Sequence, residues 1–301
     1  MRRFLTALIS LVVLAPMWSF AQPAPATPPA ATPAAPMDST APRDPNLPAG
    51  EHNARAALDS SPRHGEMVEI AWAKDKPPLR TWVAFPERKD KAGVVIVIQE
   101  IYGLTDWLRA VGDQLARDGF IALVPDLISG LGPNGGGTES VASRDEVVKL
   151  VRGLTPDETL LRLNAVRAYA AKLPASSGKV ATLGFCWGGA RSFAYAAATP
   201  PPDAAVVYYG SSPDSAAVLG VKAPVLGCYG GDDARVNATI EPARAALKPL
   251  NRFYEANLYE GAGHGFLRAQ LSREGANLKA TQQAWPRTIA FLREHLEKKA
   301  K

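Results

Sequence analysis

The stretch GVVIVIQE at 93–100 is apolar and β-branched at successive positions, without alternation. A strand with one wet face alternates; one that does not is buried on both faces and needs a layer of helices above and below. The neighbouring sequence supplies such layers. DWLRAVGDQLARDG at 106–119 sets Leu108, Val111 and Leu115 on one helical face and closes on Gly119. FIALVPDL at 120–127 is a second buried strand. TPDETLLRLNAVRAYAAKLP at 155–174 opens with Thr155 as N-cap, Pro156 at N1 and Glu158 at N3.

The alternation continues to the end of the chain. KVATLGF (179–185), AAVVYYG (204–210), APVLGCYG (223–230) and NRFYEANLYE (251–260) read as strands. GGARSFAYAAAT (188–199) and ATIEPARAALKPL (238–250, as far as Pro249) read as helices, and 275–296 as a long closing helix kinked at Pro286. Upstream, EMVEIAWA (66–73) and LRTWVAFP (79–86) alternate around KDKPP and predict an edge hairpin. Residues 128–154 hold a glycine-rich loop, ISGLGPNGGGTES, and a short helix, SRDEVVKLVRGL. The loop lacks the Lys-Ser/Thr of a phosphate-cradling P-loop and reads as a flexible rim. The expectation is an α/β fold with a mostly parallel, doubly covered sheet and an N-terminal antiparallel hairpin. Right-handed crossovers then gather the strand C-termini, and the loops that follow them, on one edge, where ligands bind.

The first residues obey different rules. MRR supplies positive charge, FLTALISLVVLA an apolar run, and Ser19-Phe20-Ala21 a small-residue cleavage site. The run is shorter than the roughly 20 residues a bilayer span needs. Residues 1–21 therefore read as a cleavable secretory signal, and the protein as exported, periplasmic or secreted, with no membrane span after cleavage. Residues 22–50 are rich in Pro, Ala and Thr and read as a disordered tether; the folded domain is assigned to 51–301. The formal charge is +5, and loss of Arg2 and Arg3 with the signal leaves +3, with no basic cluster to recruit nucleic acid.

Export would expose the two cysteines, Cys186 and Cys228, to an oxidising compartment. Cys228 lies within its own strand, and AAVVYYG is expected to run between the two. That would set them roughly 9–10 Å apart, too far for a disulfide. No His/Cys/Asp set has metal-ligand spacing, so neither metal nor cofactor is expected.

Four chemistry-bearing residues stand directly after predicted strands: Glu100, Cys186, Asp233 and His264. GFCWGG follows a strand and opens a helix, which is the strand–nucleophile–helix elbow G-x-Nuc-x-G with cysteine as nucleophile. Gly184 and Gly188 flank Cys186 where side chains would strike neighbouring backbone. The helix N-terminus is expected to lower the thiol pKa, and the Trp187 N–H to form one arm of an oxyanion hole. YGGDDARV carries two carboxylates; Asp233, three residues before the apolar Val236, is preferred over Asp232 as the partner of histidine. GAGHGF places His264 after the last strand. The chain order nucleophile, acid, base is that of α/β-hydrolases.

QEIYGL, GFCWGG, GGDDARV and GAGHGF together resemble the dienelactone hydrolase family over residues 65–298. The resemblance implies the α/β-hydrolase fold, with Cys186, Asp233 and His264 as a catalytic triad and Glu100 as an acid that assists thiol deprotonation. It also implies backbone N–H groups of Ile101 and Trp187 as the oxyanion hole and Arg268 as an anchor for a substrate carboxylate. The family's second arginine, soon after Leu127, is missing from PDLISGLG. The expected activity is hydrolysis of a small ester or lactone through an acyl-thioester, with dienelactone itself disfavoured. Two rivals are a non-catalytic binding module on the same fold and a thiol-redox role for Cys186.

Overall fold

The computed structural model describes residues 43–297. The expected signal peptide and most of the expected tether lie outside these residues. The chain enters through a helical turn at Glu51–Asn53 and α1 (Ala54–Asp59) and then forms a hairpin of β1 (Gly65–Ile70) and β2 (Leu79–Ala84). Strand–helix alternation follows: β3 (Ala92–Ile98), α2 (Asp106–Arg117), β4 (Ile121–Pro125), α3 (Arg144–Gly153), α4 (Pro156–Lys172), β5 (Ser176–Phe185) and α5 (Trp187–Tyr195). The C-terminal half adds β6 (Ala204–Tyr208), β7 (Val225–Gly230), α6 (Ala234–Asn237), α7 (Ile240–Leu247), β8 (Tyr254–Tyr259) and α8 (Ala276–Leu296), which holds Pro286 within it.

These strands make one sheet in the order β1-β2-β4-β3-β5-β6-β7-β8. The β1–β2 and β2–β4 pairs are antiparallel and the remaining pairs parallel. This is the α/β-hydrolase fold. The strand β3 that anchors the sequence reading shows why its sequence does not alternate. Val95 and Val97 face a core shared with Leu108, Val111 and Leu115 of α2 and Trp285 and Leu292 of α8. Val94, Ile96 and Ile98 face the opposite core, with Leu163 and Val166 of α4 and Val151 of α3. Each of these side chains is withdrawn from water, worth about 1.5–3 kcal/mol apiece.

Local signals place the helix starts. Thr105, Ser143 and Thr155 accept hydrogen bonds from the N–H groups of Leu108, Glu146 and Glu158, which satisfies one orphan donor at each N-terminus.

Two regions depart from the sequence reading. Leu47, Pro48, Ala49 and Gly50 are buried, and Gln270 donates to the Pro48 carbonyl at 2.9 Å. The packed domain thus takes in the last residues of the segment assigned to the tether. Composition missed them because two apolar side chains inside a Pro/Ala-rich run find their partners only in tertiary contact. The glycine-rich rim is also pinned. Asp126, fully buried, accepts from the Thr138 N–H at 2.6 Å and its hydroxyl at 2.9 Å, and the same hydroxyl accepts from the Leu104 N–H at 3.0 Å.

Candidate active site

Parallel strands end together, and the loops after β3, β5, β6, β7 and β8 surround a cavity of about 510 Å³. Glu100, Ile101, Cys186, Trp187, His264 and Arg268 all line it. Residues from three separate motifs, with Arg268 just beyond the last of them, are brought to one place.

Cys186 sits between β5 and α5 at φ 53° and ψ −115°, a conformation that L residues adopt only under strong constraint. Its N–H is held by the Tyr208 carbonyl at 3.0 Å, and its carbonyl accepts from the Ala190 N–H at 3.1 Å. Such a turn leaves no room beside it. A Cβ on Gly184 would lie 2.0 Å from the Gly188 carbonyl oxygen, and one on Gly188 would lie 2.3 Å from that of Gln99. The helix N-terminus pulls the thiol pKa down through the Trp187 N–H but is outweighed. Burial, then the Glu100 carboxylate, push it up to about 11, against the Trp187 N–H and the Arg235 guanidinium. Both opposing causes are tertiary, so local sequence carries no trace of them.

Asp233 caps α6 and is nearly buried, and its Oδ2 lies 2.5 Å from His264 Nδ1. Asp232 instead pairs with Arg273 at 2.6 Å on the surface. The His264 ring rests 5.1 Å from that of Tyr209. Cys228 is buried one strand beyond β6 and both cysteines are free.

Glu100 is 5% exposed and Arg268 Nε approaches its carboxylate at 2.9 Å. The approach is a close ion pair without hydrogen-bond alignment, for Nε has no aligned acceptor. Burial raises the Glu100 pKa to about 7, and the Glu51 carboxylate adds to the rise while Arg268 opposes it. Arg268 does not stand free for a ligand. Its Nη1 binds Glu51, and its guanidinium lies 5.3 Å from the centre of the Tyr102 ring. Burial would lower its pKa, but Glu100 and Glu51 outweigh burial and hold it above the usual arginine value.

Sequence reasoning passed over Glu51, Tyr209, Arg152 and Arg235. Tyr209 stands directly after β6 at φ 40°, lines the cavity and buries a hydroxyl with no aligned partner. The strand expected over 204–210 contains it, where a tyrosine reads as core; β6 in fact ends one residue earlier, at Tyr208. Arg152 of α3 and Arg235 of α6 are exposed where they line the cavity, and neither has a carboxylate partner among the described residues. The position after Leu127, Ile128, belongs to the Asp126-centred loop, its N–H donating to the Asp126 carboxylate at 3.2 Å.

Known proteins resemble this chain in sequence and in fold. The dienelactone hydrolase family model matches residues 79–296. A carboxymethylenebutenolidase of Pseudomonas putida is 32% identical over 212 residues, 68% of this chain and 86% of its own length. Among solved structures, a dienelactone hydrolase-like promiscuous phosphotriesterase from metagenomic libraries superposes with a TM-score of 0.65 at 21% identity, covering 78% of this chain and 99% of its own. An acylaminoacyl peptidase of Pyrococcus horikoshii gives 0.60 at 14% identity, over 83% of this chain and 44% of its own. These two show the shared fold. With a family model spanning most of the folded residues and a relative of this likeness, the chain belongs to the dienelactone hydrolase family and is a hydrolase.

Proposed function

We propose that the protein is an exported, cysteine-dependent hydrolase of small carboxylic esters or lactones, working through an acyl-thioester on Cys186. The observation that carries this reading is the strained turn at Cys186, which faces the same cavity as His264, the imidazole that Asp233 holds from behind the cavity wall at 2.5 Å. Strain of this kind persists only where the surrounding structure enforces it.

At neutral pH the resting sulfur is a protonated thiol, since its pKa is near 11. Its proton passes to His264, directly or by way of Glu100 on the same cavity wall, which titrates near 7 and so exchanges protons readily there. Once formed, the thiolate attacks the substrate carbonyl and the oxygen becomes negative. Backbone N–H groups of Ile101 and Trp187 stabilise that charge. The tetrahedral species collapses, the C–O bond of the ester breaks, and His264 returns the proton to the departing alkoxide. A water deprotonated by His264 then attacks the thioester, releasing the acid and restoring the thiol. Asp233 orients the imidazole and balances its positive charge.

Export is supported by the positive, apolar and small-residue order of residues 1–21. Hydrolysis of a short aryl ester by wild type and Cys186→Ala tests the catalytic reading. It predicts activity in the first and the uncatalysed rate in the second; equal rates would sink it.

A further inference from the structure

The clearest feature outside the catalytic groups is the carboxylate of Glu51. It comes from the N-terminal segment, 217 positions from Arg268 in sequence and outside the residues matched by the family model. Its Oε2 binds Arg268 Nη1, its Oε1 lies 3.4 Å from Arg144, and its N–H donates to the Arg268 carbonyl at 2.8 Å. The Tyr102 ring packs near both arginines, its centre 3.6 Å from the Arg144 guanidinium and 5.3 Å from that of Arg268. A hydrogen bond from Gln270 to the Pro48 carbonyl holds the same segment.

We infer that Glu51 is a specificity-determining residue: it occupies Arg268 from within the chain, so the pocket beside Cys186 takes acyl groups that carry no carboxylate. One guanidinium lies between two carboxylates, Glu51 and Glu100. A third carboxylate arriving from a substrate would meet a group whose charge is already compensated, and it would lose hydration without gaining a free cation. The inference rests on the proposed hydrolytic reading and names the substrate class for that site. Arg152 and Arg235 are the other cations of the cavity; both are exposed and water-screened, and their contribution is common to every variant compared below.

Alkylation of Cys186 supplies the test, because iodoacetate and iodoacetamide differ chiefly in one negative charge. The readout is the ratio of their second-order rates, in which the thiolate fraction cancels. In wild type the ratio is expected at or below that of a free small thiol. Glu51→Gln removes one charge and leaves the backbone contact, and it is expected to raise the ratio by about tenfold. The double variant Glu51→Gln/Arg268→Gln is expected to lose the gain. A parallel pair of aryl esters, one neutral and one with a terminal carboxylate, should shift in kcat/KM the same way. A wild-type ratio well above that of the free thiol, or a Glu51→Gln ratio equal to wild type, overturns the inference and leaves Glu51 as an anchor of the segment. Absence of ester hydrolysis in wild type would count against the proposed function alone, since the alkylation ratio does not depend on turnover.

Discussion

His264 Nδ1 lies 2.5 Å from Asp233 Oδ2, while Asp232, one residue earlier, is turned away to Arg273. A single peptide step therefore separates a buried acid in contact with the imidazole from a surface ion pair. Asp233→Asn keeps the shape but removes the charge that fixes the tautomer. It should lower kcat by about 10³–10⁴, whereas Asp232→Asn should change it by about twofold or less. Steady-state kinetics on one aryl ester compare the two directly. A larger loss at Asp232 would reverse the assignment.

Glu100 gives a prediction in which two readouts part. Its charge raises the Cys186 pKa, so Glu100→Gln lowers that pKa and increases the resting thiolate. Alkylation by iodoacetamide at pH 8 should then quicken while ester hydrolysis slows. In wild type, kcat/KM should rise with pH through about 7 as Glu100 loses its proton, and the variant should lack that limb.

The same group makes stability depend on pH. The folded-state pKa of Glu100, about 7, is above its unfolded value of 4.5. Its contribution is therefore fully present below pH 4.5 and is lost as pH rises through 7. The stability difference between Glu100→Gln and wild type should move in favour of the variant across that window, by up to about 3 kcal/mol. Thermal melts at pH 4.5 and 8 measure it; a constant difference would contradict the shift.

Gly184→Ala should remove both fold stability and activity. The added Cβ would press on the Gly188 carbonyl oxygen at 2.0 Å, and the nearest atoms are all backbone of Gly188 and Gly189, with no flexible side chain to yield. A loss of more than about 3 kcal/mol is expected in denaturant unfolding. Stability within 1 kcal/mol of wild type would mean that the elbow is looser than its geometry.

Much of this was legible in advance, for definite reasons. The unbroken run at 93–100 demanded helices on both faces, and Val95 and Ile96 indeed serve opposite cores. Cys186, Asp233 and His264 could be named because parallel topology sends every strand end to one edge, so position after a strand is spatial information. Glu51 could not be found this way. It stands beside a Pro/Ala-rich stretch and meets Arg268 only in the folded chain. The raised thiol pKa was hidden for the same reason: the helix terminus is local, but the burial and the Glu100 charge that outweigh it are not.

The central claim is a covalent acyl bond to Cys186. Intact-mass spectrometry of enzyme acid-quenched during turnover of a short aryl ester, followed by peptide mapping, tests it most directly. The account predicts an increment equal to the acyl group on the peptide holding Cys186, none on Cys228, and no increment in Cys186→Ala. Turnover by Cys186→Ala at the wild-type rate, with no adduct in either protein, would contradict it.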